Sequence, residues 1–176
     1  MYDIYTVVDH LHPIFIVLGL VVSWNVPTAR WFLISYSFIV LINLSVFPVI
    51  IQWNTHYYVA EVVLAIAFML PVIYRRGLAL LIYQKTQNNF FKKVYDKQSL
   101  TIQECVVLFI YVIAVVVNFV TWLEVLAYKY DWIQNAYIKL YIRDNVMLAV
   151  QLLLCGCLLS YAVKAGSREI NFEKTR

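Results

Sequence analysis

Two long apolar runs constrain this chain more than any other feature. Trp31–Trp53 carries no charged residue, and Cys105–Ala127 carries only Glu124. A bilayer hydrocarbon core is about 30 Å thick and takes roughly 20 apolar residues to cross as a helix. Both runs are long enough. Ile4–Trp24, Tyr57–Tyr74 and Ile142–Val163 are further apolar stretches of near-spanning length. The pattern predicts an all-α, polytopic transmembrane helical bundle forming a single domain over residues 1–176. Its spans fall at about 4–24, 31–53, 57–74, 105–127 and 142–163, with amphipathic interfacial segments between them. The first is the least regular, because Asp9, His10, His12 and Pro13 interrupt its first half. If it lies in the interface, the count becomes four.

Composition supports lipid as the solvent for much of the surface. The chain is 63% hydrophobic and 14% charged, and its mean hydropathy is +0.74. Soluble domains are typically about half apolar and a quarter charged. No Lys or Arg precedes the first apolar run and no small-residue cleavage site follows it, so the first helix is expected to be retained.

Between spans three and four lies the longest polar segment, 75–104. It holds Arg75, Arg76, Lys85, Lys92, Lys93 and Lys97, with Leu78, Leu81, Ile82, Phe90, Phe91 and Val94 interleaved. That mixture reads as an amphipathic segment lying near the membrane, whose basic residues meet lipid or a cytoplasmic protein partner. At its end, Thr101-Ile102-Gln103-Glu104 has the form of a capping box opening the next helix. Tyr128–Arg143, rich in Tyr and Trp, reads as interfacial.

Placing 75–104 in the cytoplasm puts Arg30, the six basic residues above and the four of the C-terminal tail on one side. Lys129, Lys139 and Arg143 remain on the other. The positive-inside rule then sets the N-terminus outside and the C-terminus inside, in an inner (plasma) membrane. This distribution explains the net charge of +4 without a nucleic-acid partner.

Two polar groupings are candidate sites. His10, His12 and His56 fall on the expected outer rim, near Asp9, Glu61 and Glu124. Imidazole and carboxylate are ligand types for Zn or Cu. Against a metal site, His10 and His12 diverge on a helix, and no H-E-x-x-H pattern occurs. Interfacial polarity is the simpler reading, and no cofactor is expected. The second grouping is a mid-membrane amide layer of Asn43, Asn118 and Gln151. Amides at one depth either hydrogen-bond between helices or line a polar path, and packing is the favoured reading. Tyr111, Asn118 and Thr121 share a stripe on span four that should face the bundle interior or a subunit interface. Gly156 and Ser160 form a small-x-x-x-small pair on span five. Cys105, Cys155 and Cys157 fit no redox or zinc spacing and read as buried apolar residues.

Phosphate-loop, dinucleotide and nucleophile-elbow motifs are absent, and catalysis is not expected. The function expected is that of a self-associating, channel-like or membrane-perturbing and sensing component, as a homo-oligomer or within a larger complex, able to recruit a cytoplasmic partner. The alternatives are a metal- or redox-cofactor-binding subunit and a non-catalytic scaffold.

Overall fold

Each apolar run becomes a helix, and polar turns reverse the chain between them. The computed structural model describes residues 4–97 and 100–167, with side chains described from His12 onward. The helices are α1 (Ile4–Val22), α2 (Pro27–Ile50), α3 (Tyr57–Thr86), α4 (Asn89–Lys97), α5 (Ile102–Lys129) and α6 (Arg143–Val163). A 3-10 turn, Ile51–His56, links α2 to α3, and a π-turn, Ile138–Ile142, leads into α6. Among the described residues every regular element is helical.

Three helical stretches are long and apolar enough to cross a membrane: Pro27–Thr86, Ile102–Lys129 and Ile138–Val163. The first, at 60 residues, would extend about 90 Å if straight. It does not run straight. Asn54 sits at φ 45°, ψ −92°, outside helical values, and the chain doubles back there. The Trp31 indole N–H donates to the Arg75 carbonyl oxygen at 3.1 Å, and the Tyr36 and Phe68 rings lie 5.2 Å apart. The pairing order shows α2 and α3 running antiparallel.

The remaining helices follow the same alternation. Arg75 of α3 meets Glu104 of α5, while Phe68 stacks on Tyr111 with ring centroids 5.4 Å apart. At the far end of α5, Asn118 meets Arg143 and Met147 of α6. Helix α1 packs on α6 and α2. A Cβ at Gly19 would stand 3.3 Å from Leu33 Cδ1 and 3.4 Å from Ala162 Cβ, so glycine permits this approach. The core between the helices is formed by Phe32, Leu33, Tyr36, Phe68, Val72, Val107, Tyr111, Leu154, Leu158 and Tyr161.

The structure redraws the polar segment expected over 75–104. Helix α3 does not stop at Tyr74 but continues to Thr86, ending with Gln87 in the left-handed region, its N–H bonded to the Tyr83 carbonyl. Thirty residues span about 45 Å, more than a bilayer core. Helix α4 then returns along α3, its Val94 buried with Trp31 and Ala79 and flanked by Ile82, Phe90 and Phe91. The apolar face of this segment is therefore covered by α2 and α3. Arg75 lies inside the bundle at 2% exposure, bonded through both terminal nitrogens to the carboxylate of Glu104. It has no surface with which to meet lipid or a partner. A guanidinium with a bidentate carboxylate partner tolerates burial that a lone cation does not.

Glu104 has a second task. The Thr101–Glu104 capping box forms: the Thr101 N–H donates to Glu104 Oε2 at 2.7 Å, and the Glu104 N–H donates to Thr101 Oγ1 at 3.3 Å. One carboxylate thus starts α5 and neutralises α3. Replacing Glu104 with alanine leaves Arg75 buried without its counter-charge. The expected loss is about 3–5 kcal/mol, read as a lowered midpoint in denaturant or thermal unfolding of the detergent-solubilised protein. An Arg75→Met, Glu104→Leu double variant should recover most of that loss. A double variant no more stable than Glu104→Ala would contradict this account.

Candidate functional site

Among the described residues, polar side chains in the bundle interior gather in two clusters besides the ion pair. The first is central. The Tyr36 hydroxyl lies 3.2 Å from His12 Nε2 and is hydrogen-bonded to the Tyr111 hydroxyl. All three side chains are buried, at 8% exposure for His12, 0% for Tyr36 and 5% for Tyr111. Phe68 closes the group, stacked on Tyr111 and 6.4 Å from the His12 ring centroid. The cluster joins α1, α2 and α5 through a continuous hydrogen-bonded chain and α3 through ring contacts. If the Tyr111 O–H donates to Tyr36 and the Tyr36 O–H to His12 Nε2, each contact has one donor and one acceptor.

The second cluster is at the opposite end from Arg75. The Arg143 Nε–H donates to Asn118 Oδ1 at 3.1 Å, and its Nη1 bonds Asp144 Oδ1 at 3.0 Å. Its guanidinium carbon lies 5.4 Å from the Tyr57 ring centroid and 4.9 Å from that of Tyr58. Glu124 holds the segment entering α6, accepting from the Ile138 and Lys139 N–H groups at 2.8 and 2.9 Å. Beside it, an open cleft of about 410 Å³ is lined by Ile51, Asn54, Thr55, Tyr57, Tyr58, Val125 and Lys139.

The expected rim and amide groupings are distributed differently. His12 is in the central cluster, whereas His56 is exposed in the turn before α3. Tyr36, which His12 touches, is separated from that turn by the remaining length of α2. The side chains of Asp9 and His10 lie outside the described ones. Glu61 is half-buried. Among the described residues no three His, Cys, Asp or Glu side chains are grouped to hold a metal ion.

Of the amides, Asn118 is fully enclosed and bonded to Arg143, with Met147 Sδ 3.7 Å from its Nδ2. Gln151 is half-buried on the inward side of α6. The buried Oδ1 of Asn43 accepts no hydrogen bond among the described residues. Tyr111, Asn118 and Thr121 do share the buried stripe of α5. Cys155 is buried and Cys157 partly so, but Cys105 is exposed. Of the basic residues expected to meet lipid or protein, Arg76, Lys85, Lys92 and Lys93 are exposed and Lys97 is half-buried.

Tyr36 and Arg143 were the residues hardest to find from sequence. A tyrosine in an apolar run resembles a core aromatic, and Arg143 resembled an interfacial cation. The available signal was the coincidence of hydroxyl- and imidazole-bearing residues in several runs, because such groups need partners away from water.

One face of α6 is rich in small residues. On α6, Asn145, Ala149, Leu152, Gly156 and Val163 are exposed and follow one side of the helix, with Ser160 half-exposed among them. A Cβ at Gly156 would meet nothing within 4 Å. The outward faces of α3 and α5 carry bulkier residues, among them Val63, Ile66 and Leu70, and Phe109, Val116 and Phe119.

Comparison with protein-family models, with curated proteins and with solved structures finds no match.

The central cluster supports a direct test. Tyr36→Phe removes the hydroxyl that links His12 to Tyr111 and leaves both without that partner. The expected cost is about 1–3 kcal/mol, with Phe68→Leu serving as the comparison for lost packing. Thermal unfolding in detergent would measure it, and an unchanged midpoint for Tyr36→Phe would argue against a hydrogen-bonded centre.

Proposed function

We propose that this chain is a five-crossing membrane protein that self-associates through the outward face of α6 and acts as a channel-like or membrane-perturbing component. The observation that carries this reading is the open Gly156 notch. Small residues facing lipid contribute little packing, whereas against another helix they allow close backbone approach. Ala149, Gly156 and Ser160 offer such a face, with Leu152 and Leu153 beside it as bulky neighbours.

The five crossings are α1, α2, α3, α5 and α6, alternating in direction. Supporting this count is the reversal at Asn54, which folds the longest helical stretch into two arms. The basic residues around α4 favour the Arg75 end as cytoplasmic, which sets the N-terminus outside. The part of α3 beyond Arg75, together with α4, is what a cytoplasmic partner would meet.

The interior supports passage between copies over passage through one chain. The His12, Tyr36 and Tyr111 side chains at its centre satisfy one another, and Phe32, Phe68 and Tyr161 pack around them. An ion-conducting route would therefore run along a face shared by two or more chains.

Gly156→Leu fills the notch and should move the detergent-solubilised protein from oligomer toward monomer, as measured by native mass spectrometry. Ala149→Leu should act in the same direction, and Val116→Leu on the bulky face of α5 should not. A wild-type protein that stays monomeric at every protein-to-detergent ratio would refute the reading. In liposomes, release of an entrapped dye should fall with the oligomer.

A further inference from the structure

We propose that Arg30 forms the centre of a binding site for the phosphate of an anionic phospholipid in the leaflet at the Arg75 end. The proposal rests on the membrane reading above but not on self-association. Arg30 is in the first turn of α2. Its guanidinium carbon lies 5.2 Å from the ring centroid of Trp24, in the α1–α2 turn, and 4.3 Å from that of Phe90, in α4. Two elements therefore hold one guanidinium in place.

Ring stacking engages the faces of the guanidinium and leaves its five N–H donors at the edge. No carboxylate or carbonyl oxygen among the described residues takes them. The other arginines of the bundle are answered differently: Arg75 by Glu104, and Arg143 by Asn118 and Asp144. Arg76 also rests on a ring, 4.6 Å from that of Tyr95, but is exposed to solvent. Arg30 is half-buried, yet none of its nitrogens is sealed inside the protein, so its donors remain open to a ligand from outside.

The surroundings define the ligand. A phosphate accepts two parallel N–H bonds from a guanidinium fork. The start of α2 points the same way: Pro27 opens the helix and no side chain caps it, and a helix N-terminus favours an anion. Lys93, one turn beyond Phe90 on α4, is exposed and adds a second cation. Beside this group, Val21, Val22 and Ile34 expose apolar surface at 70%, 62% and 42%. An anion with an attached acyl chain fits both halves, whereas free phosphate uses only one.

The test is a titration of the purified protein, in phosphatidylcholine nanodiscs, with phosphatidylglycerol, read as retained lipid by native mass spectrometry and as a rise in Tm. Wild type should retain phosphatidylglycerol selectively. Arg30→Lys keeps the charge but loses the planar fork, and its apparent affinity should fall about fivefold. Phe90→Leu, which removes a ring and no charge, should weaken binding in the same direction. Lys85→Gln, which removes an exposed cation in the last turn of α3 that rests on neither ring, should bind as wild type does. Wild-type affinity in Arg30→Lys, or an equal loss in Lys85→Gln, would overturn the site in favour of diffuse attraction. An equal Tm rise with inorganic phosphate alone would overturn the lipid as occupant. Gly156→Leu should bind lipid normally, separating this site from self-association. Loss of the protein from the membrane fraction on carbonate washing would instead refute the membrane reading.

Discussion

The ion pair between Arg75 and Glu104 is the interaction on which the bundle arrangement most depends. It buries two full charges at 2% and 0% exposure, in a region where the outward faces of the same helices are apolar. Neither charge is tolerable there alone. Together they fix how α3 lies against α5, and through the capping box they fix where α5 begins. The Trp31 indole bonding the Arg75 carbonyl draws α2 into the same junction. Phe32 adds its ring 5.7 Å from the guanidinium. Three helices therefore take their register from one short stretch of sequence around Arg75.

Much of the architecture was legible in the residues. Trp31–Trp53 and Cys105–Ala127 announce helices of membrane-spanning length, and Thr101 with Glu104 announces where α5 starts. The interior stripe of Tyr111, Asn118 and Thr121 was also readable, because heptad-like spacing places residues on one helix face. What could not be read was pairing across the bundle. Arg75 looks like any cation ending a span, and only the fold brings Glu104 to it. His12 looks like a rim residue, because the sequence does not say that α1 will set it against Tyr36. Asn43 and Asn118 are chemically identical, yet one is enclosed with an arginine and the other lacks a partner for its carbonyl. Spacing along a helix specifies a face, but not which neighbour that face will meet.

The interior and exterior of the bundle solve opposite problems. Inside, the His12, Tyr36 and Tyr111 chain and the Arg143 cluster turn polar groups toward each other. Outside, most faces are bulky and suited to acyl chains, while α6 carries small side chains and an open glycine. This asymmetry directs attention to contacts between molecules. A bundle closed within itself can still act collectively, provided one of its surfaces favours protein over lipid.

The separation of Arg75 and Glu104 along the chain, 29 residues, also has a consequence in time. Synthesis proceeds at about 5–20 residues per second, so for roughly 1.5–6 seconds the nascent chain holds Arg75 without the carboxylate that neutralises it. During that interval α2 and α3, joined by the tight turn at Asn54, can already pair with each other through Trp31 and Tyr36. An unneutralised guanidinium at the end of that pair resists burial. Only when Glu104 has been made can the junction of α2, α3 and α5 close around the charge.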